Sequence, residues 1–111
     1  MTNEMLKAYV EKADADAVRV RVMDPNLGPA LRAIGFSQTA EHDVYILDVL
    51  DDKQKAQVFD ALRLLEVAFS AGKEWCPAEV FEYLRDDLGL LSGSFWRVAW
   101  TEPGQYRLTS V

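Results

Sequence analysis

Apolar and polar residues alternate most regularly over residues 18–22, which read Val-Arg-Val-Arg-Val. A period of two puts three valines on one face and two arginines on the other, which predicts a strand buried on one side only. Residues 44–50 are apolar on both faces and predict a central strand, and residues 36–40 indicate a shorter one. These segments favour an antiparallel or mixed sheet.

The C-terminal residues predict a β-hairpin. Residues 95–101 and 105–110 both alternate, and the Pro103-Gly104 pair between them suits the second and third positions of a type II turn. Trp96 and Trp100 then share one face of the first strand, whereas Arg97 lies on the other.

The other apolar residues recur at helical spacing and predict four helices. These are residues 3–13, capped by Thr2 or Asn3; a helix from Asp24-Pro25 to a stop at Gly35; residues 52–70, with Asp51 and Asp52 at the start and Ala71-Gly72 at the end; and a helix from Pro77 to a stop at Gly89. The predicted order is α-β-α-β(β)-α-α-β-β. We expect an α+β fold with helices packed on a mainly antiparallel or mixed sheet of about four to five strands.

Composition indicates the number of domains and the cellular compartment of the protein. The 111 residues are half apolar, which is enough for a single domain, residues 1–111, with its own core. Cys76 is the single cysteine, so no internal disulfide forms, and the first residues do not resemble a secretory signal. No apolar run approaches the ~20 residues that span a bilayer. We therefore expect a cytoplasmic protein that does not enter a membrane.

The charge is acidic and evenly spread. The net charge is −6, and the two halves of the chain contribute equally. An even negative field disfavours nucleic acid and anionic membranes as partners. We expect Arg19 and Arg21 to form cross-strand ion pairs with the surplus carboxylates rather than to bind phosphate.

Two side chains are candidates for nucleophilic or acid–base chemistry. His42 lies between Glu41 and Asp43 and is expected to be a solvated turn residue, although the flanking acids favour its charged form. Cys76 precedes a predicted helix, where a thiol loses its proton more readily. Because Trp75 beside it indicates an apolar corner, we expect a small buried thiol instead.

Three aspartates at the end of the predicted central strand are candidates for binding Mg²⁺. Asp48, Asp51 and Asp52 offer oxygen ligands, but helix capping and the helix dipole account for the last two. An enzyme would need His42 to meet Cys76 or these aspartates in one cleft. We therefore expect no catalytic residues, no metal and no cofactor.

The predicted hairpin carries more aromatic and arginine side chains than a small core needs. Tryptophan, tyrosine and arginine are the residues most enriched in binding hot spots. The residues predicted to contact a partner are Trp96, Arg97, Trp100, Tyr106 and Arg107. The leading interpretation is a non-enzymatic interaction or regulatory module, which binds a protein partner or a second copy of itself through this hairpin.

The C-terminal sixty residues also resemble a winged-helix module. Predicted helices over 52–70 and 77–88, a helix over 92–100 and a wing that ends in Gln105–Thr109 carry this resemblance. It implies a DNA-binding regulator over residues 52–111. The recognition helix would present Arg97 with little other basic charge, and the aromatic alternation of the segment favours a strand.

The first half resembles a regulatory ligand-binding module of the ACT type. A strand over 17–23, a turn over Asp24–Gly28, a helix to Gly35 and a strand over 44–50 follow that order. The resemblance implies a small-ligand-binding domain, with Asn26 and Gly28 at the ligand-facing turn.

Overall fold

The computed structural model describes residues 6–13, 16–41, 43–70, 75–102 and 105–110. Within them, seven strands form one mixed sheet: β1 (Ala8–Lys12), β2 (Ala17–Val22), β3 (Ser37–Gln38), β4 (Val44–Asp48), β5 (Ala68–Ser70), β6 (Trp96–Glu102) and β7 (Gln105–Ser110). The helices described are α1 (Gly28–Ile34), α2 (Asp52–Leu64) and α3 (Pro77–Glu82). A 3-10 turn, Pro25–Leu27, precedes α1, and a π-helical turn, Tyr83–Asp87, follows α3.

The strand order across the sheet is β3-β4-β2-β1-β5-β6-β7. The strand β5 runs parallel to both of its neighbours, β1 and β6, and the other pairs are antiparallel. The predicted α+β class and mixed sheet are therefore confirmed. The predicted count of four to five strands and the predicted element order are wrong.

All three helices pack on one face of this sheet. Their buried residues form a single apolar cluster with the inward residues of the strands. At its centre Phe69 of β5 contacts Phe59 of α2 at 4.9 Å between ring centroids. Phe95 lies 5.3 Å from Phe69 and 4.6 Å from Phe81 of α3. The opposite face has a separate small apolar cluster to which no described helix contributes.

Two segments that were predicted to be helical form strands in the structure. Residues 8–12 lie within the predicted helix 3–13 but form β1, which lies at the middle of the sheet between β2 and β5. The helix predicted to reach residue 70 ends at Leu64, and Glu66 takes a left-handed φ of 63° just before β5. The strand β1 pairs with the next strand, β2, and with the distant β5, and β5 pairs with β1 and β6. Helical spacing of apolar residues does not reveal such partners. The segment predicted as the central strand, β4, lies next to the short edge strand β3 instead.

Local signals at chain reversals predicted the structure well. The Asp24 carboxylate accepts a hydrogen bond from the Asn26 amide at 3.0 Å, and Gly35 ends α1 with a φ of 125°. Asp51 caps α2 by accepting from the Gln54 amide at 2.8 Å. The caps predicted at Thr2 or Asn3, the stop at Ala71-Gly72 and the turn residues Pro103-Gly104 lie outside the described residues. No described helix has the length and apolar character to cross a membrane.

Candidate functional site

The sheet face opposite the helices has a charged half. Glu11 forms ion pairs with Arg19 at 2.8 Å and with Arg21 at 2.9 Å, and Asp43 pairs with Arg21 at 2.9 Å. Glu41 lies 3.4 Å from Arg21 and 3.6 Å from Arg19. The hydrogen bond to Glu11 raises the pKa of Arg21 above its usual value, against a smaller opposing effect of burial. The predicted cross-strand ion pairs of Arg19 and Arg21 are confirmed. Both arginines are neutralised by neighbouring carboxylates.

The other half of this face is aromatic. We call the side chains of Tyr9, Trp96, Trp100, Tyr106 and Leu108 the aromatic face. Trp96 is 43% exposed and Trp100 46% exposed. The Trp100 ring makes edge contacts with Tyr9 at 5.6 Å and Tyr106 at 5.9 Å between centroids. The Trp100 indole is thus held in place while part of it still reaches solvent.

Fixed contacts beneath the aromatic face hold it to the sheet. The Trp100 indole N–H donates to the Ser70 hydroxyl at 3.0 Å, and the Leu6 amide donates to the Tyr106 phenol oxygen at 2.8 Å. Burial raises the pKa of Tyr9, which the nearby Arg21 lowers in part. Tyr9 therefore lies at the junction of the charged and aromatic halves.

The structure separates the five residues predicted to contact a partner. Directly paired residues of adjacent strands share a face, and Trp100 pairs with Tyr106. Arg97 pairs with Phe69, which points into the main core, so Arg97 lies on the helix side of the sheet. Arg107 pairs with Ala99 and shares that side. The hairpin thus has an aromatic face with Trp96, Trp100 and Tyr106, and a basic face with the two arginines.

A groove of about 440 Å³ lies at the base of the hairpin. Its apolar walls are Leu64, Val67, Phe95 and Trp96. Leu64 is 86% exposed at the end of α2. Sequence reasoning missed this residue because the helix was predicted to continue past it. Its place outside the apolar stripe of α2 was the one signal that could have found it.

A tyrosine side chain packs against the turn that was predicted to face a small ligand. Gly28 is buried, and a Cβ atom there would lie 2.7 Å from the Tyr45 phenol oxygen. Asn26 is exposed on the 3-10 turn. A cavity of about 390 Å³ lies nearby, but neither Asn26 nor Gly28 lines it. The structure therefore does not bring these two residues together at a cavity.

The candidate nucleophile is placed differently from the prediction. Cys76 is exposed just before α3, so the prediction of a buried thiol is wrong. The apolar corner lies at Trp75, which is buried and donates from its indole N–H to the Ser70 carbonyl at 2.6 Å. His42 lies outside the described residues, so no distance relates it to Cys76.

The three candidate aspartates lie around one open cavity. Asp48, Asp51 and Asp52 line a space of about 550 Å³ together with Asp16 and Lys55. In the part of the chain that the structure describes, no three His, Cys, Asp or Glu side chains are placed to hold a metal ion. Asp51 instead acts as the helix cap that its position predicted.

The winged-helix interpretation requires a helix over residues 92–100. Residues 96–102 form the strand β6, paired with β5 and β7, so the recognition helix is not there. The structure thus removes the main support for binding DNA in that manner. No protein-family model matches the sequence, and comparison with curated proteins and with solved structures finds no match.

Proposed function

We propose that this chain is a non-catalytic, cytoplasmic interaction module, which binds another protein or a second copy of itself through its C-terminal hairpin. The observation that carries the proposal is the pair of exposed tryptophans, Trp96 and Trp100, on one face of β6. Exposed tryptophans clustered on one face are typical of the anchors that dominate protein interfaces. The single cysteine, which allows no internal disulfide, supports a cytoplasmic setting.

The aromatic face is suited to binding because its main anchor is already ordered. Association costs the entropy of each side chain that it immobilises. Trp100 is restrained by the Ser70 hydroxyl and by the rings of Tyr9 and Tyr106, so this cost is largely met in the free protein. The groove beside Trp96 adds a recess that an apolar side chain of the partner can enter.

The test removes the anchors and keeps a matched apolar control. The double variant Trp96→Ser/Trp100→Ser is compared with Leu50→Ser, whose side chain is 92% exposed away from the hairpin. Each tagged protein is used for quantitative capture from cells, and self-association is followed by sedimentation velocity. A protein or second copy that the wild type and Leu50→Ser bind, and the double variant loses, supports the proposal.

Equal binding by all three proteins contradicts the proposal. Circular dichroism checks that the double variant keeps its fold. If it does not, Trp96→Ser alone serves the same comparison, because the indole of Trp96 makes no hydrogen bond to any described residue.

A further inference from the structure

The last strand of the chain is an open edge of the sheet. β7 has six residues and, in the described chain, pairs only with β6. It contains no proline and no lysine, which are the usual guards of an exposed edge. The opposite edge strand, β3, is only two residues long and offers little to pair with. One long edge therefore presents backbone N–H and C=O groups to an incoming strand.

The basic face beside this edge has charges that the described chain does not neutralise. Neither Arg97 nor Arg107 has an ion-pair or hydrogen-bond partner among the described residues, although both are exposed. The other five arginines each bind a carboxylate or amide oxygen; they are Arg19, Arg21, Arg32, Arg63 and Arg85.

The two arginines are also close to each other. Arg97 pairs with Thr109 and Arg107 with Ala99, so the arginines are diagonal neighbours on one face. Like charges at such positions repel, and an anionic group placed between them would relieve this repulsion. Both guanidinium groups are exposed and thus offer donors to an acidic group.

We propose that the partner is a protein with an extended acidic segment, which pairs with β7 as an eighth strand. Its carboxylates bind Arg97 and Arg107 on one face, and its alternate apolar side chains extend the aromatic face beyond Tyr106 on the other. Backbone pairing supplies affinity and alternate side chains supply specificity in such strand addition. This inference rests on the proposed function, because it names the partner of the same hairpin.

Charge favours an acidic segment over a second copy of the chain as the strand that pairs with β7. Two β7 strands paired about a two-fold axis would bring the arginine pairs of both copies to one seam. An acidic strand would instead bring carboxylates to the two arginines of one copy.

The test uses a capped octapeptide of alternating glutamate and valine, and a second peptide with lysine in place of glutamate. Binding to the whole chain is followed by tryptophan fluorescence and by amide hydrogen exchange. We expect the glutamate peptide to bind and to protect amides of Gln105–Ser110, and the lysine peptide to do neither. The affinity should fall as salt is added, since exposed charge pairs are screened.

Charge reversal provides matched variants. Arg107→Glu should weaken the glutamate peptide about tenfold and let the lysine peptide bind. Lys53→Glu makes the same change of net charge on the exposed side of α2 and should leave both peptides unaffected. Equal effects of the two variants would show that only overall charge matters and would overturn the inference.

Three other outcomes also overturn it. Peptide binding without protection of the β7 amides would place the peptide on the aromatic face alone. Protection of β7 that rises with protein concentration and needs no peptide would identify a second copy as the occupant. Full competition by inorganic phosphate, again without amide protection, would identify a simple anion site.

Failure of this inference is distinguishable from failure of the proposed function. If Arg107→Glu retains the partner that the tryptophan double variant loses, the hairpin is the contact and the acidic strand is wrong. If the double variant retains the partner, the proposed function itself is wrong, whatever the peptides do.

Discussion

The indole N–H of Trp100 donates to the hydroxyl of Ser70 at 3.0 Å, which joins β6 to its neighbour β5. The carbonyl of the same serine accepts from the indole of Trp75 at 2.6 Å. Ser70 is 4% exposed, whereas Trp100 is 46% exposed. One buried residue therefore connects the main core, through Trp75, with the aromatic face, through Trp100.

Replacing Ser70 by alanine should loosen the aromatic face. The Ser70→Ala variant loses the hydroxyl acceptor but keeps the carbonyl that binds Trp75. We expect the free energy of unfolding to fall by about 1 kcal/mol, the usual net value of one such hydrogen bond. Urea denaturation measures this change. The exposed Ser92→Ala serves as the control and should stay within about 0.5 kcal/mol of the wild type. A Ser70→Ala protein as stable as the control would show that the hydroxyl does not hold Trp100.

A methyl group at Gly28 should conflict with Tyr45. The Cβ atom would lie 2.7 Å from the phenol oxygen of a ring that is almost fully buried. We expect Gly28→Ala to lower the free energy of unfolding by about 1–3 kcal/mol, as overpacking does. Combining it with Tyr45→Phe removes the conflicting oxygen and should restore part of that loss. Thermal unfolding of both variants and of Tyr45→Phe alone provides the comparison. Without any recovery in the double variant, the close contact is not the cause.

Removing the charge of Glu11 should weaken the charged half of the sheet face. Glu11 joins Arg19 and Arg21, which lie on the same strand. Since all three side chains keep some contact with solvent, we expect Glu11→Gln to cost only about 1 kcal/mol at low salt. The loss should shrink at high salt because screening weakens the pairs that the wild type retains. Urea denaturation at low and high salt checks this, with the exposed Asp87→Asn as the control. A loss that is independent of salt would assign Glu11 a packing role instead.

The sequence predicted those elements whose signals are local. The hairpin of β6 and β7, the strand β2 and the caps at Asp24 and Asp51 each depend on neighbouring residues. The strands β1 and β5 were mistaken for helix because Leu6, Tyr9 and Val10 also fit helical spacing, and because β5 is only three residues long. Their identity comes from strand pairing: β1 pairs with the adjacent β2 and with β5, and β5 pairs with β1 and with β6 far along the chain.

The candidate site was likewise predictable from local sequence only in part. Alternation along β6 is enough to assign Trp96 and Trp100 to one face and Arg97 to the other. It does not tell which face the helices cover, or that Tyr9 reaches Trp100 from β1. That contact joins two residues from opposite ends of the sequence. It forms because β5 pairs with both of their strands and so brings β1 and β6 into one sheet.

Backbone geometry explains this limit. A strand turns successive side chains to opposite faces whatever surrounds it, so the local sequence alone determined which hairpin residues lie together. The exposure of the hairpin side chains depends on which face of the sheet the helices cover. The apolar sides of α1, α2 and α3 all pack on the face that carries Phe69. Only that tertiary packing decided that the two tryptophans meet solvent, and that β7 remains an edge with two arginines beside it that no described residue pairs.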